Sequence, residues 1–314
     1  MALPFAAACG SGQSATTDTG GRLRVVATTT QVADFARNVG GDRVHVTQLL
    51  KPNVDPHDFE PAPADLQAIS KAELVIENGV GLEEWLHETI ESAGFDGATV
   101  DASKGVTLHE GGAEHEEGTQ EHEEGGEEAE HEHGEEDPHI WQDPRNAKKM
   151  SATIAAALEK ADPSHKAEYQ ADLESYEDRL DRLDADIAKQ ISSIPKDQRR
   201  LVTNHDAFGY YVERYDLTFV GSIIPSFDTS AELSGKELDT LVGKIKAQHV
   251  KAVFSEASLP PKTAETIGTR AGVTVVAGED ALYGDTLGPA GSDAATYIAM
   301  MEHNTKTIVG ALRG

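Results

Sequence analysis

Apolar and polar positions alternate along this chain between two rhythms. The run LRVVATT (23–29) is continuously apolar at its centre and predicts a buried strand, QVADFARNVGG (31–41) has three- and four-residue apolar spacing and ends in glycines, and RVHVTQLL (43–50) predicts a strand again. The same alternation continues through ADLQAISKA (64–72, helix), LVIENG (74–79, strand), LEEWLHETIESAG (82–94, helix) and ATVDAS (98–103, strand). After an interruption, DPRNAKKMSATIAAALEKA (143–161) predicts a helix with proline in its first turn. Residues 162–194 then read as one long charged helix, with Leu173, Tyr176, Leu180, Leu183 and Ile187 on a narrow apolar face suited to a rigid strut. Beyond Pro195 the alternation resumes in RLVTNH (200–205), AFGYYVERY (207–215), LTFVGSII (217–224), GKELDTLVGKIKAQ (235–248), KAVFSEA (251–257), PKTAETIGTRAG (261–272) and VTVVAG (273–278), and closes with a helix from about Ser292 to Leu312. The predicted fold is α/β, with two Rossmann-like lobes joined by one long linking helix. Residues 1–21 form a tether, 22–161 the first lobe, 162–194 the linking helix and 195–314 the second lobe.

The interruption changes the picture. Residues 109–136 are almost entirely His, Glu and Gly, and they hold 13 of the acidic residues behind a net charge of −28. Such a composition has too few apolar groups to fold alone and is expected to be disordered without metal. Strong negative charge argues against nucleic acid or an anionic membrane surface as a partner and favours cations. A single cysteine excludes an internal disulfide framework and a cysteine-rich zinc knuckle, so metal ligands must be His and carboxylate. That cysteine, Cys9, ends a short run of small apolar residues and precedes a Ser/Thr/Gly-rich tether, the layout of a bacterial lipoprotein cleavage site. Cys9 is therefore expected to carry a lipid anchor, and the chain is expected to begin inside its signal.

In open parallel α/β sheets, ligands sit beyond the carboxyl ends of the strands. After 43–50 comes KPNVDPHDFEP with His57, after the first lobe's last strand and the acidic insert comes DPHIWQDP with His139, and after 200–204 comes His205. After 273–276 come Asp280 and Asp285. A lone histidine in a loop is most often simply exposed, and of the 13 histidines His45, His87, His165, His249 and His303 are expected to be exposed or structural. The repeated Asp-Pro-His at 55–57 and 137–139 stands apart, because proline fixes φ and lowers the ordering cost of the imidazole that follows. Three histidines and a carboxylate can bind zinc without sulfur.

VDPHDFEPAPADL, DPHIWQDPRNAKKM, TNHDAFGYYVERYDL, VFSEASLPPKTAETIGTRAGV and the LYGDTLGPAGS to TYIAMMEHNTKTI region occur in the order found in a known family. With them the chain, from about Leu23 to Leu312, resembles the zinc- and manganese-specific substrate-binding proteins of bacterial ABC transporters. The resemblance implies two α/β lobes, one metal ion in the cleft between them, and delivery to a membrane permease and its ATPase. It implies His57, His139, His205 and Asp285 as ligands, with Asp285 preferred to Asp280 because LYGDTL matches the family's Tyr-x-Asp-Ser/Thr-Leu context. The family's manganese binders resemble Ser-Glu at the third position, whereas His205 gives a nitrogen-rich set that favours Zn2+ over Mn2+. His-rich acidic inserts in the family accompany the zinc-specific members. Some zinc members carry Glu before the first His, where this chain has Pro56, so a fourth ligand is expected from Asp285.

His109, His115, His122, His131 and His133 then become weak auxiliary zinc ligands that raise the ion's local concentration beside His139. Glu256 is expected to accept hydrogen bonds from a ligand imidazole or to be structural, and Asp58 and Asp206 either to orient the histidines they follow or, by alternation along the loop, to point away from them. A zinc hydrolase would keep a coordination position open and need a general base; no His-Glu-x-x-His helix is present, and four ligands from four loops suggest a closed site. A metal buffer without a transporter would need the same ligands. The expectation is reversible binding without chemistry by an extracytoplasmic monomer. Release is expected through a change in the lobes, or in the loops carrying His205 and Asp285.

Overall fold

The computed structural model describes residues 21–109, 136–229 and 234–313. Cys9, His115, His122, His131 and His133 lie outside them. The first lobe is built on four parallel strands in the order β2-β1-β3-β4, with β1 at Leu23–Ala27, β2 at Val44–Gln48, β3 at Leu74–Glu77 and β4 at Ala98–Asp101. Crossovers run through α1 (Thr30–Gly40), α2 (Pro63–Ser70) and α3 (Leu86–Ala93). Thr29 starts α1 by accepting the Val32 N–H at 3.2 Å, satisfying one of the donors a helix start leaves open. The helix predicted from residue 82 begins only at Leu86, because residues 82–85 are taken up in turns that bury Glu83 against the strand ends.

The second lobe repeats the plan. β5 (Arg200–Thr203) pairs with β6 (Thr218–Ser222), β7 (Ala252–Phe254) pairs with β8 (Thr274–Val276), all parallel, and β5 lies beside β7. The intervening helices are α6 (Gly209–Arg214), α7 (Gly235–Ala247) and α8 (Lys262–Ala271). In each lobe the sheet reverses direction of growth beside its first strand, which opens a crevice at the strand ends.

Between the lobes, α4 (Pro144–Ala161) leads into α5 (Lys166–Ser192). Asp143 caps α4 by accepting the Arg145 N–H at 2.8 Å, so the proline-first start read from the sequence is formed. At 27 residues, α5 spans about 40 Å. Its buried stripe is Tyr169, Tyr176, Leu180, Leu183, Ile187 and Ile191, each such side chain contributing roughly 1.5–3 kcal/mol by leaving water. The stripe packs against α1, α4 and the C-terminal helix α9 (Tyr297–Arg313). α9 thereby forms a second link between the lobes: Tyr297 donates its hydroxyl to the Trp141 carbonyl at 2.6 Å and its N–H to Asp34 at 3.1 Å, and its ring meets Phe35 edge-on at 4.9 Å. Among the described residues no helix is long and apolar enough to cross a membrane.

Candidate metal centre

Each strand-end histidine is fixed by its local sequence. In both Asp-Pro-His segments the aspartate turns back on the chain and accepts the histidine N–H: Asp55 from His57 at 2.9 Å and Asp137 from His139 at 2.9 Å. This is an Asx turn, with proline setting the middle dihedral. The His57 loop is held further by Trp85, whose indole donates to the Pro56 carbonyl at 3.2 Å. The His139 loop is held by Asn78 at the end of β3, which donates to the Pro138 carbonyl at 3.0 Å. His205 follows β5 directly, and its N–H donates to Glu256 at 3.0 Å. Asp285 lies on the segment after β8, where Trp141 and Gln142 both donate to the Gly284 carbonyl, at 3.0 and 2.9 Å.

These four loops bring His57, His139, His205 and Asp285 together, with one donor atom from each lying within 4.8 Å of all the others. Nε2 of His139 is 3.3 Å from Asp285 Oδ1, Nε2 of His205 is 3.2 Å from Asp285 Oδ2, and the two Nε2 atoms are 3.4 Å apart. Four donors around a tetrahedral zinc ion lie roughly 3.3 to 3.5 Å apart. His139, His205 and Asp285 are buried, while His57 is half-buried and gives the cluster its contact with solvent. Nε2 of His57 and both carboxylate oxygens of Asp285 are buried without a hydrogen-bond partner among the described residues, so the cluster is a set of unspent donors.

Residues 25–311 match the model of the family described as zinc-uptake complex component A, periplasmic. The chain belongs to that family. Its similarity to members of this zinc-uptake family spans nearly its whole length. It is 32% identical to the manganese-binding lipoprotein MntA of Halalkalibacterium halodurans over 98% of this chain and 94% of that one. It is 29% identical to the zinc-binding protein TroA of Treponema pallidum over 93% of this chain and 89% of that one. The solved structure of the periplasmic zinc-binding protein TroA superposes with a TM-score of 0.80, at 28% identity, over 94% of this chain and all of that one. The two-lobe α/β architecture with a His/Asp cluster between the lobes is thus that of the zinc-uptake family.

Within this family frame, the surroundings leave the Nε2 atoms free to bind. Asp137 Oδ1 lies 2.7 Å from His139 Nδ1, and Glu256 Oε2 lies 2.9 Å from His205 Nδ1. A carboxylate on Nδ1 fixes the ring and raises the basicity of the opposite nitrogen. Burial disfavours charge on His139, but the adjacent Asp137 and Asp285 carboxylates outweigh it and push its pKa up to about 9. Burial likewise opposes charge on His205, yet Asp285 and Glu256 hold it well above its ordinary range. His57 is lowered, chiefly by burial. Asp285 is disfavoured as an anion by burial, but His205 and His139 hold it well below the usual carboxylate range.

Glu256, expected to accept from an imidazole or to be structural, accepts the backbone N–H of His205 and sets its other oxygen 2.9 Å from that ring's Nδ1 without completing a hydrogen bond to it. Asp58 and Asp206 do not orient the rings: Asp58 is exposed, and among the described residues the carboxylates within hydrogen-bonding distance of the three imidazoles are Asp137, Glu256 and Asp285. Asp280 is exposed in a 3-10 turn (Gly278–Asp280) and does not join the cluster. His109 stacks on Tyr210 at 4.0 Å and lies 3.0 Å from Glu213, outside the four-residue group. Sequence reasoning passed over Asp137, although the paired Asp-Pro-His motifs hold the signal: a carboxylate two residues before each histidine is placed to close an Asx turn.

Proposed function

We propose that the protein captures Zn2+ in the cleft between its lobes, through Nε2 of His57, His139 and His205 and the carboxylate of Asp285, and delivers it to an ABC permease for import. The observation that supports this reading is the cluster itself, in which His139, His205 and Asp285 offer donor atoms 3.2 to 3.4 Å apart and His57 brings a fourth within 4.8 Å of the others, in a family of uptake components. A nitrogen-rich set suits zinc better than manganese. The second reading is Mn2+ as cargo, and its support is the similarity to the manganese-binding lipoprotein MntA. Capture is reversible ligand exchange without chemistry. Metal entry replaces protons on the imidazoles, so binding releases protons. The site is extracytoplasmic in this reading, with Cys9 carrying a lipid anchor and the histidines of 109–136 acting as weak collectors of the same ion.

Elemental analysis after purification without added metal tests it, on the intact chain and on His57→Ala/His205→Ala. One tightly held zinc that disappears in the double variant is the expected result. Zinc at unchanged stoichiometry in the variant would overturn the four-residue site, and manganese displacing zinc in direct competition would favour the second reading.

A further inference from the structure

Asp285 reaches the cluster from a long irregular segment, residues 281–296, between the last strand and α9. Neighbouring side chains of α9 seize that segment near both ends. His303 is buried, with Nε2 3.0 Å from the Ala281 carbonyl oxygen and Nδ1 3.1 Å from the Asp293 carboxylate. Asn304, fully buried, accepts the Tyr283 N–H at 2.9 Å and donates to the Tyr283 carbonyl at 2.8 Å, pairing with that backbone as a neighbouring strand would. The Tyr283 ring meets His303 edge-on at 5.2 Å. Asp285 follows two residues after Tyr283. Gly284 between them passes close against the cluster's surroundings, where a Cβ would run into Glu256 Oε2 and stand 3.4 Å from the His205 ring.

We infer that His303 and Asn304 are positioning residues for Asp285: from α9 they fix the backbone that aims its carboxylate at the three imidazoles, and so set how tightly the cleft holds its ion. The inference rests on the metal-site reading above. Asn304 does most of this, since it holds both polar groups of Tyr283, while His303 closes the segment by joining residue 281 to residue 293. Neither touches the ion. Their effect passes through one ligand, which separates them from residues that merely stabilise the lobe.

The experiment is a double-mutant cycle on the full chain with zinc alone as the probe. Affinity is measured by competition with a chromophoric chelator for the parent, Asn304→Leu, His303→Gln, Asp285→Ala and the combinations, with melting of each metal-free form as the check on folding. Supporting second contacts of metal ligands are worth about 10- to 100-fold in affinity. Asn304→Leu is expected to lose about 10-fold and His303→Gln less, by faster dissociation, and each should lose under twofold when Asp285 is already alanine. Equal losses with and without Asp285, or no loss from either variant, would overturn the inference. If Asn304→Leu does not fold, the cycle with His303→Gln decides. A parent affinity indifferent to Asp285→Ala removes the metal-site reading and this inference with it, whereas an Asp285-dependent site indifferent to both α9 variants removes the inference alone.

Discussion

Replacing Asp137 separates two effects of one carboxylate. Its Oδ1 takes both the backbone N–H and Nδ1 of His139, at 2.9 and 2.7 Å, so Asp137→Ala removes the turn and the ring's anchor together. Loss of such an orienting partner costs about 10- to 100-fold in metal affinity, or about 1.4 to 2.7 kcal/mol. The same carboxylate also opposes binding, because it helps push His139 up to about 9 in the metal-free protein. Displacing a proton held two units above neutrality costs roughly 2.7 kcal/mol at pH 7. Removing Asp137 relieves part of that competition, so at pH 7 the two effects partly cancel. At pH 9 most of the competition is gone and the loss of orientation shows. Zinc affinity by chelator competition at pH 7 and pH 9 should therefore fall modestly for Asp137→Ala at the lower pH and by up to about 100-fold at the higher. Asp137→Asn, which keeps an oxygen acceptor, should lose nearer 10-fold. Affinity within twofold of the parent at pH 9, with an unchanged metal-free melt, would refute the orienting role.

Gly284→Ala would drive a methyl into Glu256, 2.2 Å away, and is expected to cost at least ten times in zinc affinity; crystallography or competition titration showing an undisturbed site would contradict the packing argument. In the metal-free protein the raised value of His139 stabilises folding fully below about 6.5 and is lost as pH climbs through about 9. Burial raises Glu83 to about 7, a penalty on folding that grows as pH rises from about 4.5 through 7. Both act in one direction, so melts of chelator-treated protein should fall between pH 5 and 9; a rise would show that other groups dominate. Leu180→Ala on the linking helix should destabilise by about 2–5 kcal/mol in denaturant titrations with little change in zinc stoichiometry. Excising residues 110–135 should leave one tight zinc and remove weaker ones by calorimetry, and loss of the tight zinc would move the principal site into the insert.

The alternation of strands and helices was legible because buried parallel strands read as apolar runs and their crossover helices as three- and four-residue spacings. The stripe on α5 was legible too, although Tyr169 and Ile191 extend it by a turn at either end. Helix starts were less so: α9 begins at Tyr297 rather than near Ser292, because the preceding residues fold back, with Gly288 N–H donating to the Ala294 carbonyl at 2.8 Å. The three histidines stood out by their place after strands together with the repeated Asp-Pro-His at 55–57 and 137–139. Choosing Asp285 over Asp280 took family resemblance, since only the folded chain, which buries Asp285 beside the histidines and leaves Asp280 exposed, shows which carboxylate faces inward. His303 was read as an unremarkable helical histidine, and its contacts at 281 and 293 come from tertiary packing that no local pattern reveals.

The His/Glu-rich insert leaves and re-enters the fold at one point, where Asp137 N–H donates to the His109 carbonyl at 3.1 Å, and Tyr210 accepts the His109 N–H at 3.1 Å and donates its hydroxyl to the Asp137 carbonyl at 3.3 Å. Because those ends are stitched together by the protein body, the number of residues between them, here 27, bears little on the stability of the body. Each doubling of the chain length between two joined points costs only about 0.6 kcal/mol in closure entropy. The length and sequence of this segment can therefore change without renegotiating the stability of either lobe, and an engineer can splice a reporter into the same junction on the same terms.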